Sequence, residues 1–210
     1  TTVFDDVHEV AHVRIAQRAQ LIVVAPATAN VLAKAASGIA DDLLTSTLLM
    51  ATAPVVFAPA MHTEMWHHPA TQANVSTLRD RGALVVEPAS GRLTGVDSGP
   101  GRLPEAAALA EICEVVLDRG SVSADLAGKR VVISAGGTRE PLDPVRFLGN
   151  RSSGRQGWAL ATAAVARGAH VDVVSANVDL PDPAGANVVS VGTGEELHKA
   201  VLELSGAADV

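Results

Sequence analysis

Leu21-Ile22-Val23-Val24-Ala25-Pro26-Ala27-Thr28-Ala29-Asn30 is the stretch that decides the fold. Five apolar residues follow one another without the alternation that a half-solvated strand would show. Such a run is a strand covered on both faces, as in a parallel sheet. Pro26 and Thr28 then punctuate it and open a helix running to about Ala36. The same grammar repeats downstream. Val55-Val56-Phe57-Ala58 is a second buried strand, Pro69 to Arg81 reads as a helix, and Ala83 to Val86 as a third strand. Pro104 to Leu117 is a helix with its proline just inside the start. Upstream, His8 to Arg18 has Val7, Val10, Ala11 and Ile15 at steps of three and four, the spacing of one helix face. Asp41 and Asp42 open another helix through Met50, where acidic residues meet the positive end of the helix dipole. Strands alternating with helices predict an α/β fold with a parallel sheet.

Gly120 to Gly128, small and polar throughout apart from Val122 and Leu126, is the best boundary. After it the pattern restarts. Arg130 to Ser134, His170 to Ser175 and Asn187 to Val191 read as strands, and Gln156 to Arg167 and Glu195 to Leu204 as helices. Ala207 to Val210 reads as entry to a further strand, and the start at Thr1-Thr2 lies within a few residues of a helical pattern. These two ends predict an internal piece of a longer polypeptide.

Composition narrows the function. Among 210 residues, 16 Lys+Arg stand against 23 Asp+Glu and aromatic residues make up 2%. An acidic chain with a pI near 5.4 and few stacking rings argues against nucleic-acid binding. No apolar run reaches the roughly 18 residues needed to cross a bilayer, and no signal-peptide pattern opens the chain. The single cysteine, Cys113, excludes an internal disulfide framework and a cysteine-based zinc site. A cytoplasmic protein is the reading that follows.

Five stretches carry candidate chemistry. The Ala25 to Asn30 turn falls at a strand's carboxyl end, where doubly wound sheets bind ligands; a polar cofactor tail or a plain helix cap both suit it. Pro59-Ala60-Met61-His62-Thr63-Glu64-Met65-Trp66-His67-His68-Pro69 is too polar for core and reads as a substrate-binding or ordinary surface loop. Adjacent His67 and His68 do not face one ion together, so no metal is assigned. His12, on a largely apolar helix, is a packing residue or a general base. Gly91 to Arg102, with four glycines, reads as a mobile surface loop, either lid or connector. In the second segment, Ser134-Ala135-Gly136-Gly137-Thr138 looks like a phosphate turn, and Asn150-Arg151-Ser152-Ser153-Gly154 precedes a helix whose N-terminus favours anions. Arg139, Arg146 and Arg151 are candidate phosphate partners or solvated side chains. A full Walker motif or G-x-G-x-x-G fingerprint is missing. Cys113 follows the apolar period of its helix and reads as structural.

Taken together, Ala25 to Asn30, Pro59 to Trp66 and Ser134 to Gly154 resemble the bifunctional coenzyme A biosynthesis family. There a flavin-dependent phosphopantothenoylcysteine decarboxylase is fused to a phosphopantothenate–cysteine ligase. The resemblance implies a flavodoxin-like, Rossmann-type decarboxylase segment over 1–120, a linker over 121–128 and the opening part of a second Rossmann-like ligase domain over 129–210. It implies FMN as cofactor, with Thr28, Ala29, Asn30 and Ala60 beside it, and Met61 and His62 at the substrate. His12 matches the family's active-site histidine. The implied reaction oxidises the cysteine moiety to a thioaldehyde that accepts the electrons left by CO₂, and the resulting enethiolate is then reduced. FMN supplies the electron sink and His12 acts as base.

For the second segment the resemblance implies CTP as co-substrate, accompanied by Mg²⁺. The phosphopantothenate carboxylate becomes an acyl-cytidylate, and the cysteine amine then displaces CMP. Gly136, Gly137, Thr138, Ser152, Ser153 and Gly154 match the nucleotide site, and Asn150 matches the asparagine at the acyl-cytidylate. Two positions depart from the family pattern. His62 replaces the usual asparagine after Pro-Ala-Met, and its imidazole N–H can still donate to a carboxylate. Gly95 stands where the lid carries a cysteine proton donor. The expected partners are 4′-phosphopantothenate, cysteine, 4′-phosphopantothenoylcysteine and further copies of the chain, trimer-based or larger. The Gly95 departure keeps a non-catalytic or regulatory flavin-binding module as a rival. A peptidyl-cysteine decarboxylase is the third reading, opposed by the ligase-like second segment.

Overall fold

The computed structural model describes residues 10–92, 98–120 and 124–210. The expected helix start at His8 and the lid position Gly95 lie outside the described residues. Two compact units divide the chain, 1–123 and 124–210.

In the first unit α1 (Ala11–Arg18) precedes β1 (Ile22–Ala27), α2 (Ala29–Ser37), α3 (Leu43–Leu49), β2 (Val55–Pro59), α4 (Thr63–His67), α5 (Pro69–Asp80) and β3 (Leu84–Val85). An antiparallel pair, β4 (Ala89–Arg92) and β5 (Ser98–Arg102), then leads to α6 (Ala106–Arg119). The strands β1, β2 and β3 form a parallel sheet in that order, with Val23 opposite Val56 and Phe57 opposite Val85. Val24, Ala27, Leu32, Phe57, Trp66, Val75, Leu78 and Val85 make one buried cluster between the sheet and the helices. Each large member stabilises the fold by about 1.5–3 kcal/mol through area removed from water. Helix starts are fixed locally. Asp42 and Thr45 form a reciprocal capping box on α3, and His68 Nδ1 accepts from Ala70 N–H at the head of α5.

The second unit contains β6 (Arg130–Gly136), β7 (Arg139–Pro141), β8 (Phe147–Gly149), α7 (Arg155–Ala166), β9 (His170–Ala176), β10 (Ala186–Val191) and α8 (Gly194–Ser205). Its parallel sheet runs β10-β9-β6. Central β9 is buried along nearly all its length, including the charged Asp172. That carboxylate accepts from Arg130 at 3.1 Å and from Asn187 at 2.9 Å, which is what makes a buried charge tolerable. Helix α7 lies close on β6 because Gly157 has no side chain; a Cβ there would stand 2.4 Å from the Ala135 Cβ. Asp209 and Val210 hydrogen-bond the backbone of Arg130 and Val132 along the free side of β6.

Several expectations need correction. Pro104 lies outside α6, whose N-cap is Glu105. The described flanks of the glycine-rich Gly91–Arg102 stretch are paired antiparallel as β4 and β5. The polar loop after β2 contains the helix α4, held by burial of Trp66. Residues 124–128, expected as linker, form a turn tied to the second unit. Leu126 N–H donates to Arg167 O, and Arg167 pairs with Asp125 at 2.6 Å. The stretch 139–149, which carries no readable periodicity, is an antiparallel hairpin of β7 and β8.

Candidate functional site

The first candidate site stands at the carboxyl ends of β1 and β2. Ala27 is fully buried, and its carbonyl accepts from Ala60 N–H at 3.1 Å, which joins the two strand ends. Thr28 caps α2 by accepting from Val31 N–H at 3.3 Å, so the plain-cap reading of this threonine holds whatever else binds there. Ala25, Pro26, Thr28 and Asn30 are exposed, and Ala29 and Ala60 are half-buried. A row of small side chains beside an open strand end can receive a flat ring without displacing core.

Met61 N–H donates to Gly101 O at 3.0 Å, which brings the β4–β5 pair onto the segment after β2. Next to it, Gly99 is pressed against Thr63; a Cβ at Gly99 would lie 2.7 Å from the Thr63 hydroxyl oxygen. His62 is exposed at the N-cap of α4 and makes no capping bond with its side chain. His12 is carried by α1, which packs against α3. Its Nδ1 and the Thr63 hydroxyl are the two side-chain polar atoms, among the described residues, that are buried with no hydrogen-bond partner. Leaving such an atom unpaired costs about 1–3 kcal/mol. Cys113 is half-buried on α6, and burial, with Glu114 beside it, pushes its thiol up, away from nucleophilic use.

The second candidate site is a cavity of about 510 Å³ at the carboxyl end of β6. Ser134, Gly136, Arg151, Ser152, Ser153 and Gly154 line it, joined by Arg155 and Gln156 from the first turn of α7. Helix α7 begins at Gly154 with φ of 78° and no side-chain cap, so its first N–H groups open towards an anion. Gly136 (φ 91°) is required twice over: a Cβ would lie 2.1 Å from Ala176 O and 2.6 Å from Val178. Gly137 is required by Asn150, whose Oδ1 would lie 2.1 Å from a Cβ there. That same Oδ1 accepts from Ser152 N–H at 2.9 Å, which shapes the serine turn. Gly137, Thr138 and Asn150 adjoin the lining residues without being among them: Gly137 is buried, Thr138 half-buried and Asn150 exposed beside the serine turn.

The three arginines divide. Arg151 lines the cavity, Arg139 stacks over Phe147 at 5.0 Å, and Arg146 Nε pairs with Asp143 at 2.6 Å. Sequence reasoning missed Asn177, whose amide Nδ2 donates to both Gly137 O and Gly192 O. Nothing in the local sequence around it signals bonds to two distant turns. Among the described residues, no three His, Cys, Asp or Glu side chains converge as a metal cluster requires.

Known protein families match both units. The Flavoprotein family profile matches residues 2–117, and the profile of the DNA/pantothenate metabolism flavoprotein C-terminal domain matches 126–210. The coenzyme A biosynthesis bifunctional protein CoaBC of Mycolicibacterium smegmatis is 58% identical over the whole chain, which corresponds to 51% of that relative. The chain thus spans about half the length of the curated relatives it matches. Among solved structures, a cysteine-to-serine mutant of PPC decarboxylase complexed with pantothenoylaminoethenethiol is 30% identical with a TM-score of 0.52, over 55% of this chain and 65% of that one. The FMN binding protein AtHal3 is 30% identical with a TM-score of 0.50, over 56% and 65%. With a match over more than half of its residues, this chain belongs to the Flavoprotein family, as a homologue of the coenzyme A biosynthesis bifunctional protein CoaBC.

Proposed function

We propose that the first unit binds FMN and serves decarboxylation of 4′-phosphopantothenoylcysteine, while the second binds CTP and serves ligation of 4′-phosphopantothenate with cysteine. The observation that carries this reading is shared placement: each motif set stands at the carboxyl end of a parallel sheet, where such folds receive ligands. Thr28, Ala29, Asn30 and Ala60 would hold the flavin, whose small, partly open surroundings suit it. When bound, FMN supplies the electron acceptor that loss of CO₂ requires and that no side chain offers. His12 takes the substrate proton, and its Nδ1 has no protein partner to compete. His62 donates an imidazole N–H to the substrate carboxylate beside Met61.

In the second unit a phosphopantothenate carboxylate oxygen attacks the α-phosphorus of CTP and pyrophosphate leaves. The cysteine amine then attacks the acyl carbon and CMP leaves. Ser152, Ser153 and the uncapped N–H groups of α7 meet phosphate oxygens, with Mg²⁺ arriving on the triphosphate. Gly136, Gly137, Thr138 and Gly154 allow close backbone approach, and Asn150 steadies the activated carboxyl. The expected assembly is a homo-oligomer, trimer-based or larger, in the cytoplasm. The expected domains, 1–120 and 129–210, fall within the two compact units, with 124–128 joined to the second.

The test is the full-length protein, assayed for bound flavin, for CO₂ release from 4′-phosphopantothenoylcysteine and for pyrophosphate formation, because these 210 residues alone are expected to be poorly active. CTP should support pyrophosphate release and ATP should not; equal use of both counts against the ligase assignment. His12→Ala should lose roughly a hundredfold or more in CO₂ release and keep its flavin. Undiminished turnover removes His12 from the reaction. Bound flavin with no CO₂ release in the unaltered full-length protein favours the non-catalytic module instead.

A further inference from the structure

Asn177 follows β9 and is the one non-glycine residue, among those described, in the left-handed region, with φ of 52°. Its backbone turns there because Asn tolerates that conformation better than most residues. The consequence is that its side chain points its Nδ2 group at two carbonyls from separate turns. It donates to Gly137 O after β6 at 3.0 Å and to Gly192 O after β10 at 2.8 Å. Asn177 N–H itself donates to Val191 O at 3.4 Å, and Gly137 N–H donates to Ala176 O at 3.0 Å. One half-buried amide therefore ties the carboxyl ends of all three strands of the second sheet together.

What hangs on those turns is the nucleotide site. Gly137 abuts the Asn150 side chain so closely that a methyl group has no room between them. Asn150 in turn accepts from Ser152 N–H. On the other side, Gly192 O also accepts from Arg139 N–H at 2.9 Å, and Gly194 N–H donates to Glu140 Oε1 at 2.9 Å, which fastens the β7–β8 hairpin that leads into Asn150. Both routes from Asn177, through Gly137 and through Gly192, end at Asn150 and the serine turn.

We propose that Asn177 is a positioning residue: by clamping the Gly137 and Gly192 carbonyls it sets Asn150 and the Ser152–Ser153 turn in the geometry that receives the nucleotide. This rests on the reading of the second unit as a CTP site, and adds a residue that touches no ligand. A small displacement of a positioned group costs a large factor, since catalytic and binding geometry tolerates little error.

Two variants separate side chain from backbone. Asn177→Gly keeps the left-handed turn and removes the amide; Asn177→Asp keeps the shape and turns an oxygen towards the two carbonyls. In the full chain, Asn177→Gly should weaken CTP binding, titrated directly, roughly tenfold, while its unfolding midpoint without ligand stays near that of the parent. Asn177→Asp should weaken it further. Amide hydrogen exchange at Gly137 and Ser152 should quicken in both variants without any nucleotide present. Unchanged exchange at both amides overturns the proposal, as does an affinity for CTP that survives Asn177→Gly. Absence of CTP binding by the parent refutes the nucleotide reading instead, and the exchange comparison still decides whether Asn177 holds the serine turn.

Discussion

The two sheet ends are built on opposite plans. At the end of β1 and β2 the glycines are few and the side chains small, with Thr28 spent on a helix cap and the buried Thr63 hydroxyl left without a partner. At the end of β6 the backbone is crowded: Gly136, Gly137, Gly154 and Gly157 each face an atom that leaves no room for a methyl. Its polar groups are bonded to one another, through Asn177, Asn150 and Glu140. The first plan leaves its small side chains open. The second presets its own loops through bonds among them. Affinity at the second should therefore depend on glycines and backbone bonds, and at the first on a few side chains.

The largest expected effect tests the crowding itself. Gly136→Ala places a Cβ against Ala176 O in a left-handed backbone and should destabilise the second unit on the order of 3 kcal/mol, measured by denaturant unfolding. Gly38→Ala in the first unit is the control. It shares a positive φ of 70° but has nothing within 4 Å, so strain alone should cost about 1 kcal/mol. Equal losses would break the comparison. Next, Gly137→Ala pushes on Asn150 and should weaken CTP binding roughly tenfold, or about 1.4 kcal/mol, with flavin retention untouched. Thr28→Ala removes the α2 cap and should cost about 1 kcal/mol with a parallel loss of flavin; flavin unchanged would make Thr28 a cap and nothing more.

The smallest effect is acid sensitivity. Backbone N–H groups of Gly192 and Thr193 hold the Glu196 carboxyl below its ordinary value of 4.5. Asp143, held by Val145 N–H and Arg146, and Asp209, held by Arg130 N–H and Lys129, lie below 3.8. A carboxyl lowered in the folded state binds protons more weakly than in the unfolded chain. Its stabilisation is complete above the ordinary value and disappears as pH falls through it towards the lowered one. The first unit carries one such described group, Asp42, whose carboxylate accepts from Thr45. Between pH 5 and pH 3 the unfolding midpoint of the second unit should fall more than that of the first, and the reverse order would contradict the assignment.

Much of this was legible in the sequence, for identifiable reasons. Leu21 to Ala25 and Val55 to Ala58 declared themselves as unbroken apolar runs, and the parallel sheet followed. The β7–β8 hairpin did not, because its three-residue strands are exposed and carry no alternation. Helix α4, at five residues, is too short to show a period. Gly136, Gly137 and Gly154 were recognisable as turn glycines, but the structural reason for each is a neighbour distant in sequence, Ala176, Asn150 or Val178. Such close approaches leave no local pattern, and Asn177 is unreadable for the same cause.

The most direct test of two separate ligand sites is amide hydrogen exchange on the whole chain, run with FMN and again with CTP. FMN should slow exchange over 25–30 and 59–61 alone, and CTP over 134–138 and 150–154 alone. Protection of neither stretch by its ligand, or of the other unit's stretch, would contradict the account.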